Sequence, residues 1–109
     1  EQDVDRIVEK HAARIAFLHL RNTRKLGGGV FHESGHLDGD VDMVKLISLL
    51  LSAGNAPPDR IVPVRPDHGV AILDDQHRDA APGYPLYGRL VGLTEIFAIE
   101  ATLQRSTKS

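Results

Sequence analysis

The sequence contains no cysteine, which excludes a disulfide framework and a zinc site built from thiolates of this chain. It also lacks an excess of positive charge. Lysine and arginine number 13 against 15 aspartate and glutamate residues, so the net charge is −2. Because no basic block is present to contact phosphates, nucleic acid is not expected to be a partner.

Long hydrophobic runs are missing as well. The longest, LISLLLSAG from Leu46, is far short of a bilayer span, so no membrane partner is expected. The first segment, EQDVDRIVEK, is acidic and polar where a signal peptide would be basic and then apolar, and we expect a cytoplasmic protein. The remaining composition, 41% hydrophobic and 26% charged over 109 residues, is typical of one small globular domain.

The first half of the chain predicts a helix, a strand and a long loop. Apolar residues recur at helical intervals through the first 15 residues. The apolar run Ile15–Leu20 is typical of a strand buried on both faces, as in parallel sheets. Residues 21–40 contain many glycines and predict a loop of about 20 residues, a length that signals either a binding function or disorder. Within it, Gly27–Gly29 form a hinge or a hairpin tip.

The second half predicts helix, strand and helix. Asp40 is a candidate N-cap for a helix that ends at Gly54, with Asp42 as a second candidate cap. The segment RIVPVRPD is a second strand, weakened by Pro63. The last helix covers about residues 86–105, and we expect it to have neighbours on more than one face. One face carries Leu90, Leu93, Phe97 and Ala101, and another carries Ile96 and Ile99.

Long loops follow both strands, and in alternating α/β folds the ligand site lies at the carboxyl ends of the strands. His19 lies near the end of the first strand and Asp67 ends the second, and alternation places both side chains in the same space if the strands are parallel. An imidazole and a carboxylate form half a site for Mn²⁺ or Fe²⁺. Alternatively, His19 is a core or surface residue and Asp67 pairs with Arg65 or Arg21.

Other polar loop residues are candidates for proton transfer or ligand binding. His68 is next to Asp67 but points elsewhere, and its ordinary pKa suits a general acid or base. Tyr84 lies between two prolines and is a candidate proton donor. Ser34 and His36 are candidates for hydrogen bonds to a polar ligand. Each of these residues also has a plain structural interpretation, as part of an ordinary surface loop or of the rim of the core.

Several motifs together resemble one family. HLRN at 19–22, FHESGHLDGDVDM at 31–43, RPDHG at 65–69, LDD at 73–75 and PGY at 82–84 followed by GRLVGLTEI resemble, in the same order, the C-terminal part of mannonate dehydratase of the UxuA type. The resemblance implies a hydro-lyase that converts D-mannonate to 2-keto-3-deoxy-D-gluconate in hexuronate catabolism. It implies an α/β fold that is a slice of a TIM (β/α)8 barrel, its last two or three βα units in the order α-β-α-β-α, with residues 1–109 as a single partial domain.

The resemblance also implies roles for individual residues. His19 and Asp67 match metal ligands for Mn²⁺ or Fe²⁺, and His68 and Tyr84 match the proton-transfer groups. The further substrate-binding candidates are Arg21, Asn22, Ser34, His36 and Arg65. The family's other metal ligands, a cysteine and a histidine, belong to upstream strands that these residues do not include, so we expect the short chain alone to be inactive.

Two other functions stay open at this point. One is another metal-dependent barrel of the sugar isomerase or epimerase type, and the other is a small non-catalytic α/β module that binds a partner. We expect the full-length enzyme to be a homo-oligomer that acts on a small sugar acid.

Overall fold

A computed structural model of the chain describes residues 3–52, 59–66, 68–81 and 84–108, with side chains described as far as residue 106. The helices in these ranges are α1 (Val4–His11), α2 (Met43–Leu51) and α3 (Leu86–Lys108). The strands are β1 (Leu18–Leu20), β2 (Thr23–Gly27), β3 (Val30–Glu33) and β4 (Val64–Pro66), and two short 3₁₀ helices lie at Ala12–Arg14 and Leu73–His77. Apart from β2 and β3, this is the order of elements expected from the sequence.

Strands β1 and β4 form a parallel pair, as the sequence predicted. His19 is the register partner of Arg65, and Leu20 is the partner of Pro66. The pairing starts where the backbone nitrogen of Leu18 donates to the carbonyl of Pro63 over 3.0 Å, because a proline can still accept a hydrogen bond. The expected burial on both faces is wrong. Leu20 is buried, whereas Phe17 and His19 are exposed because no described part of the chain covers that side.

The prediction of a 20-residue loop after β1 is also wrong, because β2 and β3 form an antiparallel hairpin within it. The register pairs Thr23 with Glu33 and Lys25 with Phe31. Gly27–Gly29 form the hairpin tip, one of the two predicted forms, and all three have positive φ, at 98°, 58° and 81°. The hairpin exposes Val30 and Phe31, so it lacks the alternation of buried and solvated side chains that reveals a strand in a sequence.

Helix α2 is capped by Asp42, which accepts a hydrogen bond from the backbone nitrogen of Lys45 over 3.0 Å. Asp40 is not the cap. Its carboxylate accepts instead from the backbone nitrogen of Lys25 over 2.7 Å and ties the hairpin to the segment before α2. The helix ends at Leu51 with Ser52 as its C-cap, and Gly54, the predicted end, lies outside the described residues.

Helix α3 confirms the predicted last helix, but only one of its two apolar faces is buried among the described residues. Ile96 and Ile99 are buried, at 5% and 6% exposure, whereas Leu90 and Phe97 on the other predicted face are 50% and 60% exposed. Ala101 on that face is also exposed. The Ile96 and Ile99 face is the covered one because Gly88 and Gly92 continue it towards the start of the helix. Since these glycines have no side chain, loops can approach the helix backbone there.

The core lies among α1, α2, α3 and β1. Its buried members are Val8, Ala12, Leu20, Met43, Leu46, Ile47, Ile96 and Ile99. The radius of gyration is 15.2 Å, where a compact chain of this length would have about 13 Å. Together with the exposed apolar side chains, this value indicates that much apolar surface of the described chain remains uncovered. Helices that are both long and apolar enough to cross a membrane do not occur among the described residues.

Candidate active site

The candidate site lies beyond the carboxyl ends of β1 and β4. The register pairs His19 with Arg65, so these exposed side chains lie on the same face of the parallel pair. The ring of His19 packs edge-on against Phe17, with 4.9 Å between ring centroids. Arg21 follows β1 directly and His68 follows β4 after one residue. Asp67, the predicted metal ligand, is that intervening residue and lies outside the described residues.

Glu33, at the end of β3, connects the two strand ends. Its Oε1 accepts a hydrogen bond from Arg21 Nε over 2.8 Å and a second from Arg21 Nη2. The same oxygen lies 3.2 Å from His68 Nδ1. The guanidinium carbon of Arg21 also lies 5.7 Å from the centroid of the Phe31 ring, within cation–π range. Sequence reasoning missed Glu33 because its role depends on the hairpin, which brings the end of β3 back beside β1.

The two predicted proton-transfer residues lie together. The ring centroids of His68 and Tyr84 are 5.1 Å apart, with planes tilted by 48°. Arg89 of α3 places its guanidinium carbon 5.5 Å from the centroid of the Tyr84 ring. His68 is mostly buried while Tyr84 is 42% exposed, so this pair forms a partly open polar site. Arg89 is a further missed residue, for which the GRL sequence at the start of the helix gave only a weak signal.

Asn22, which lies between β1 and β2, holds the backbone of the following loop in place. It is 2% exposed, and its side-chain nitrogen donates to the carbonyls of His36 and Val41, each over 2.8 Å. Its side-chain oxygen accepts from the backbone nitrogens of Thr23 and Val41. Four hydrogen bonds from one buried amide fix the path of the backbone, because an unsatisfied buried partner would be costly. Direct contact of Asn22 with substrate stays a prediction.

His36 is buried against α3, at 3% exposure. Its Nδ1 has no hydrogen-bond partner among the described residues, and a Cβ added at Gly92 would lie 3.1 Å from its Nε2. Burial lowers the pKa of His36 below its ordinary value, although the negative charge of Glu95 partly opposes this effect. Glu95 also accepts hydrogen bonds from the backbone nitrogens of His36 and Leu37, so α3 holds the loop in place.

Asp75, the last residue of the LDD motif, anchors the start of α3. It is buried and accepts hydrogen bonds from the backbone nitrogens of Tyr87 and Gly88, over 2.9 and 2.8 Å. Burial acts to raise the pKa of Asp75, but the backbone hydrogen bonds, with the nearby charge of Arg78, outweigh it and lower the pKa below its ordinary value. The anchored helix begins at Leu86, two residues after Tyr84.

Two cavities adjoin the His68–Tyr84 pair. One of about 260 Å³ lies between the loop after β3 and α3, and it is lined by Ser34, His36, Asp38, His68, Val91 and Glu95 among others. The other, of about 650 Å³, is lined by Pro66, Arg78, Tyr84, Arg89, Leu90 and Leu93 among others. The larger volume lies in the range of small-molecule sites. Ser34 borders the first cavity, and its hydroxyl donates to the carbonyl of Gly35 over 3.0 Å.

A complete metal site is not formed by the part of the chain that the structure describes. No three histidine, aspartate or glutamate side chains within it come together as ligands would. The imidazole of His19 is a suitable donor for Mn²⁺ or Fe²⁺, but one nitrogen is far from a full ligand set. The residues present therefore fit, at most, one part of such a site.

Fold and site together define an α/β protein whose candidate active site lies beyond the carboxyl ends of two parallel strands. The family model described as D-mannonate dehydratase (UxuA) matches residues 1–109. The chain therefore belongs to the D-mannonate dehydratase (UxuA) family.

Individual relatives agree with this assignment. The chain is 48% identical to a mannonate dehydratase of Chromohalobacter salexigens over 101 residues, which cover 89% of this chain and 26% of the relative. It is 44% identical to a mannonate dehydratase of Rhizobium meliloti, with 96% of this chain and 28% of the relative covered. A crystal structure of mannonate dehydratase from Streptococcus suis serotype2 matches with a TM-score of 0.80 at 34% identity, covering 96% of this chain and 29% of that chain. The chain thus spans a little over a quarter of the length of these proteins.

Proposed function

We propose that this chain forms part of a mannonate dehydratase, which removes water from D-mannonate to give 2-keto-3-deoxy-D-gluconate. The observation that carries the proposal is the contact between His68 and Tyr84 beyond the ends of two parallel strands. The family match over the whole chain supports the same function and argues against an isomerase, an epimerase or a non-catalytic module. The proposed substrate class is a small sugar acid.

The fold we propose for the intact protein is a (β/α)8 barrel, of which residues 1–109 form a partial domain equal to the last two or three βα units. Such a barrel needs roughly 250 residues, and its active site lies at the carboxyl ends of the strands. The parallel pairing of β1 with β4 and the exposed Phe17, Leu90 and Phe97 support a unit that has further neighbours. The cytoplasmic location and the homo-oligomeric state stay predictions.

The reaction needs two proton-transfer groups close together. A base removes the proton from the carbon next to the carboxylate, and an acid protonates the hydroxyl on the following carbon, which leaves as water. The enol that results becomes the 2-keto group when its hydroxyl proton is lost and a proton is gained at the next carbon. Ring centroids 5.1 Å apart allow His68 and Tyr84 to reach groups on adjacent carbons of one substrate.

We propose His19 and Asp67 as the ligands that this chain contributes to a Mn²⁺ or Fe²⁺ ion, with the remaining ligands on other strands of the barrel. When bound, such an ion supplies electrostatic stabilisation of the negative charge that develops next to the substrate carboxylate. Arg65, beside His19 on the same face, is suited to the substrate carboxylate because a guanidinium pairs well with that group. Arg21, Ser34, Asn22 and His36 complete the proposed substrate-binding set.

A chimeric enzyme tests the proposal. This chain replaces the matching segment of the Chromohalobacter salexigens relative, and the purified, metal-loaded chimera is assayed for conversion of D-mannonate to the keto acid. We expect turnover, and we expect His68→Gln or Tyr84→Phe to lower kcat by about 100-fold or more. The matched controls are His77→Gln and Tyr87→Phe, which leave the pair intact. A folded chimera without turnover, or full activity in the His68→Gln variant, contradicts the proposal.

A further inference from the structure

Glu33 has no role in the reaction proposed above. It ends β3, and its carboxylate reaches across to His68, a residue 35 positions further along the chain. Both side chains are partly buried, at 23% and 21% exposure, so their contact is shielded in part from water.

Arg21 holds the carboxylate of Glu33 in place. Two nitrogens of its guanidinium donate to Glu33 Oε1, and the guanidinium itself lies over the Phe31 ring. Because two donors from a planar group fix the acceptor oxygen in direction as well as in distance, Oε1 is directed at His68 by contacts that do not involve His68.

The chemistry of the contact determines where the imidazole proton lies. An ionised carboxylate is only an acceptor, so a hydrogen bond over the 3.2 Å between Glu33 Oε1 and His68 Nδ1 requires a proton on Nδ1. A neutral imidazole has one N–H, and the nitrogen that carries it is set by the hydrogen bond that this nitrogen makes. The lone pair of the neutral ring then lies on Nε2.

We infer that Glu33 is a positioning residue, which fixes the ring orientation and the tautomer of His68 so that Nε2 is the nitrogen that exchanges a proton with substrate. The inference rests on the proposed role of His68 in proton transfer. In many active sites a further group orients the residue that transfers the proton. Here Glu33, from the hairpin after β1, would orient His68.

The tautomer can be measured without any turnover. We suggest long-range ¹H–¹⁵N correlation spectra of the ¹⁵N-labelled chain at a pH at which its imidazoles are neutral, with the His68 signals assigned by their loss in His68→Gln. We expect Nδ1 to carry the proton of His68 in the unmodified chain. In Glu33→Ala we expect the proton to return to Nε2, which is the tautomer that imidazole prefers in water.

Two further variants separate orientation from packing. Glu33→Gln keeps the side-chain length and an acceptor oxygen, so it should retain the Nδ1–H tautomer. Asp38→Asn removes a carboxylate from the neighbouring loop and should leave the spectrum of His68 unchanged. The signals of buried His36 report in each sample that the loop is folded.

A proton on Nε2 in the unmodified chain overturns the inference even if no variant folds. An unchanged tautomer in a folded Glu33→Ala chain also overturns it. These outcomes are distinct from a failure of the proposed function: an inactive chimera in which His68 still carries its proton on Nδ1 contradicts the reaction and leaves the orientation by Glu33 in place.

Discussion

The backbone nitrogen of Gly88 donates a hydrogen bond of 2.8 Å to the carboxylate of Asp75. This contact joins a 3₁₀ turn to the first turn of α3, where backbone N–H groups lack partners within the helix. Tyr84 lies two residues before the helix begins at Leu86, and Arg89 lies in its first turn. The same contact therefore fixes the part of the site that packs against His68.

The first prediction concerns acid sensitivity at Asp75. Because the folded state lowers its pKa, Asp75 stabilises the fold above its unfolded pKa of about 4, and this contribution disappears as the pH falls through the folded value. Asp75→Asn should therefore lower the urea midpoint at pH 7, and the difference from the unmodified chain should shrink towards pH 3. Asp74→Asn is the control. A difference that is constant with pH would contradict this prediction.

The second prediction tests the close approach at Gly88. A Cβ there would lie 1.9 Å from the carbonyl oxygen of Val70, which is backbone and has little freedom to move. Although alanine favours helices over glycine by about 1 kcal/mol, we expect Gly88→Ala to lower the free energy of unfolding by about 1–3 kcal/mol.

Gly92→Ala is the graded comparison for Gly88→Ala, since its Cβ meets only the His36 side chain, at 3.1 Å. Urea denaturation should show the smaller loss for Gly92→Ala. Equal losses for the two substitutions would show that the carbonyl of Val70 does not prevent a side chain at Gly88.

The third prediction follows from burial of His36. Its pKa is lowered in the folded state, so the unfolded chain binds more protons as the pH falls below about 6.5, and stability should fall there. His36→Gln should lose less thermal stability than the unmodified chain between pH 7.5 and pH 5.5. The exposed His77→Gln serves as control and should follow the unmodified chain. The same change in Tm with pH in all three chains would contradict the lowered pKa of His36.

The fourth prediction concerns the two faces of α3. Ile96→Ala should lower the free energy of unfolding by about 2–5 kcal/mol, as is usual when a buried side chain is truncated. Phe97→Ala, one residue further on, should change the free energy of unfolding by no more than about 0.5 kcal/mol because its ring is exposed. Denaturant titrations of the two variants give the comparison directly. A larger loss for Phe97→Ala would show that the buried face of α3 is the one that carries Phe97.

The fifth prediction concerns the short chain by itself. We expect the purified 109 residues with added Mn²⁺ to give no measurable keto acid from D-mannonate. The family resemblance implies a cysteine among the metal ligands, and this chain has none. An assay for keto acid formed over hours, with the active chimera as a positive control, provides the measurement. Turnover by the short chain would overturn this expectation.

Local patterns predicted those parts of the fold that depend on neighbouring residues. Helix α2 carries its own N-cap in Asp42 and its own apolar positions, and both act within one or two turns. The parallel pairing of β1 and β4 also followed, because parallel strands need a crossover connection and the predicted helix between them supplies one. The hairpin of β2 and β3 was missed because its apolar side chains remain exposed and leave no burial pattern.

The candidate site also has features that the sequence predicted and features that it did not. The motifs alone assigned His68 and Tyr84 to one family, because RPDHG and PGY occur in the family's order along the chain. The folded chain was needed to show that Glu33 contacts His68, that Asp75 anchors α3 and that Ile96 rather than Phe97 is buried. The physical reason is that capping and periodicity act over a few residues, whereas these contacts join segments 13 to 35 residues apart or depend on which face a loop covers.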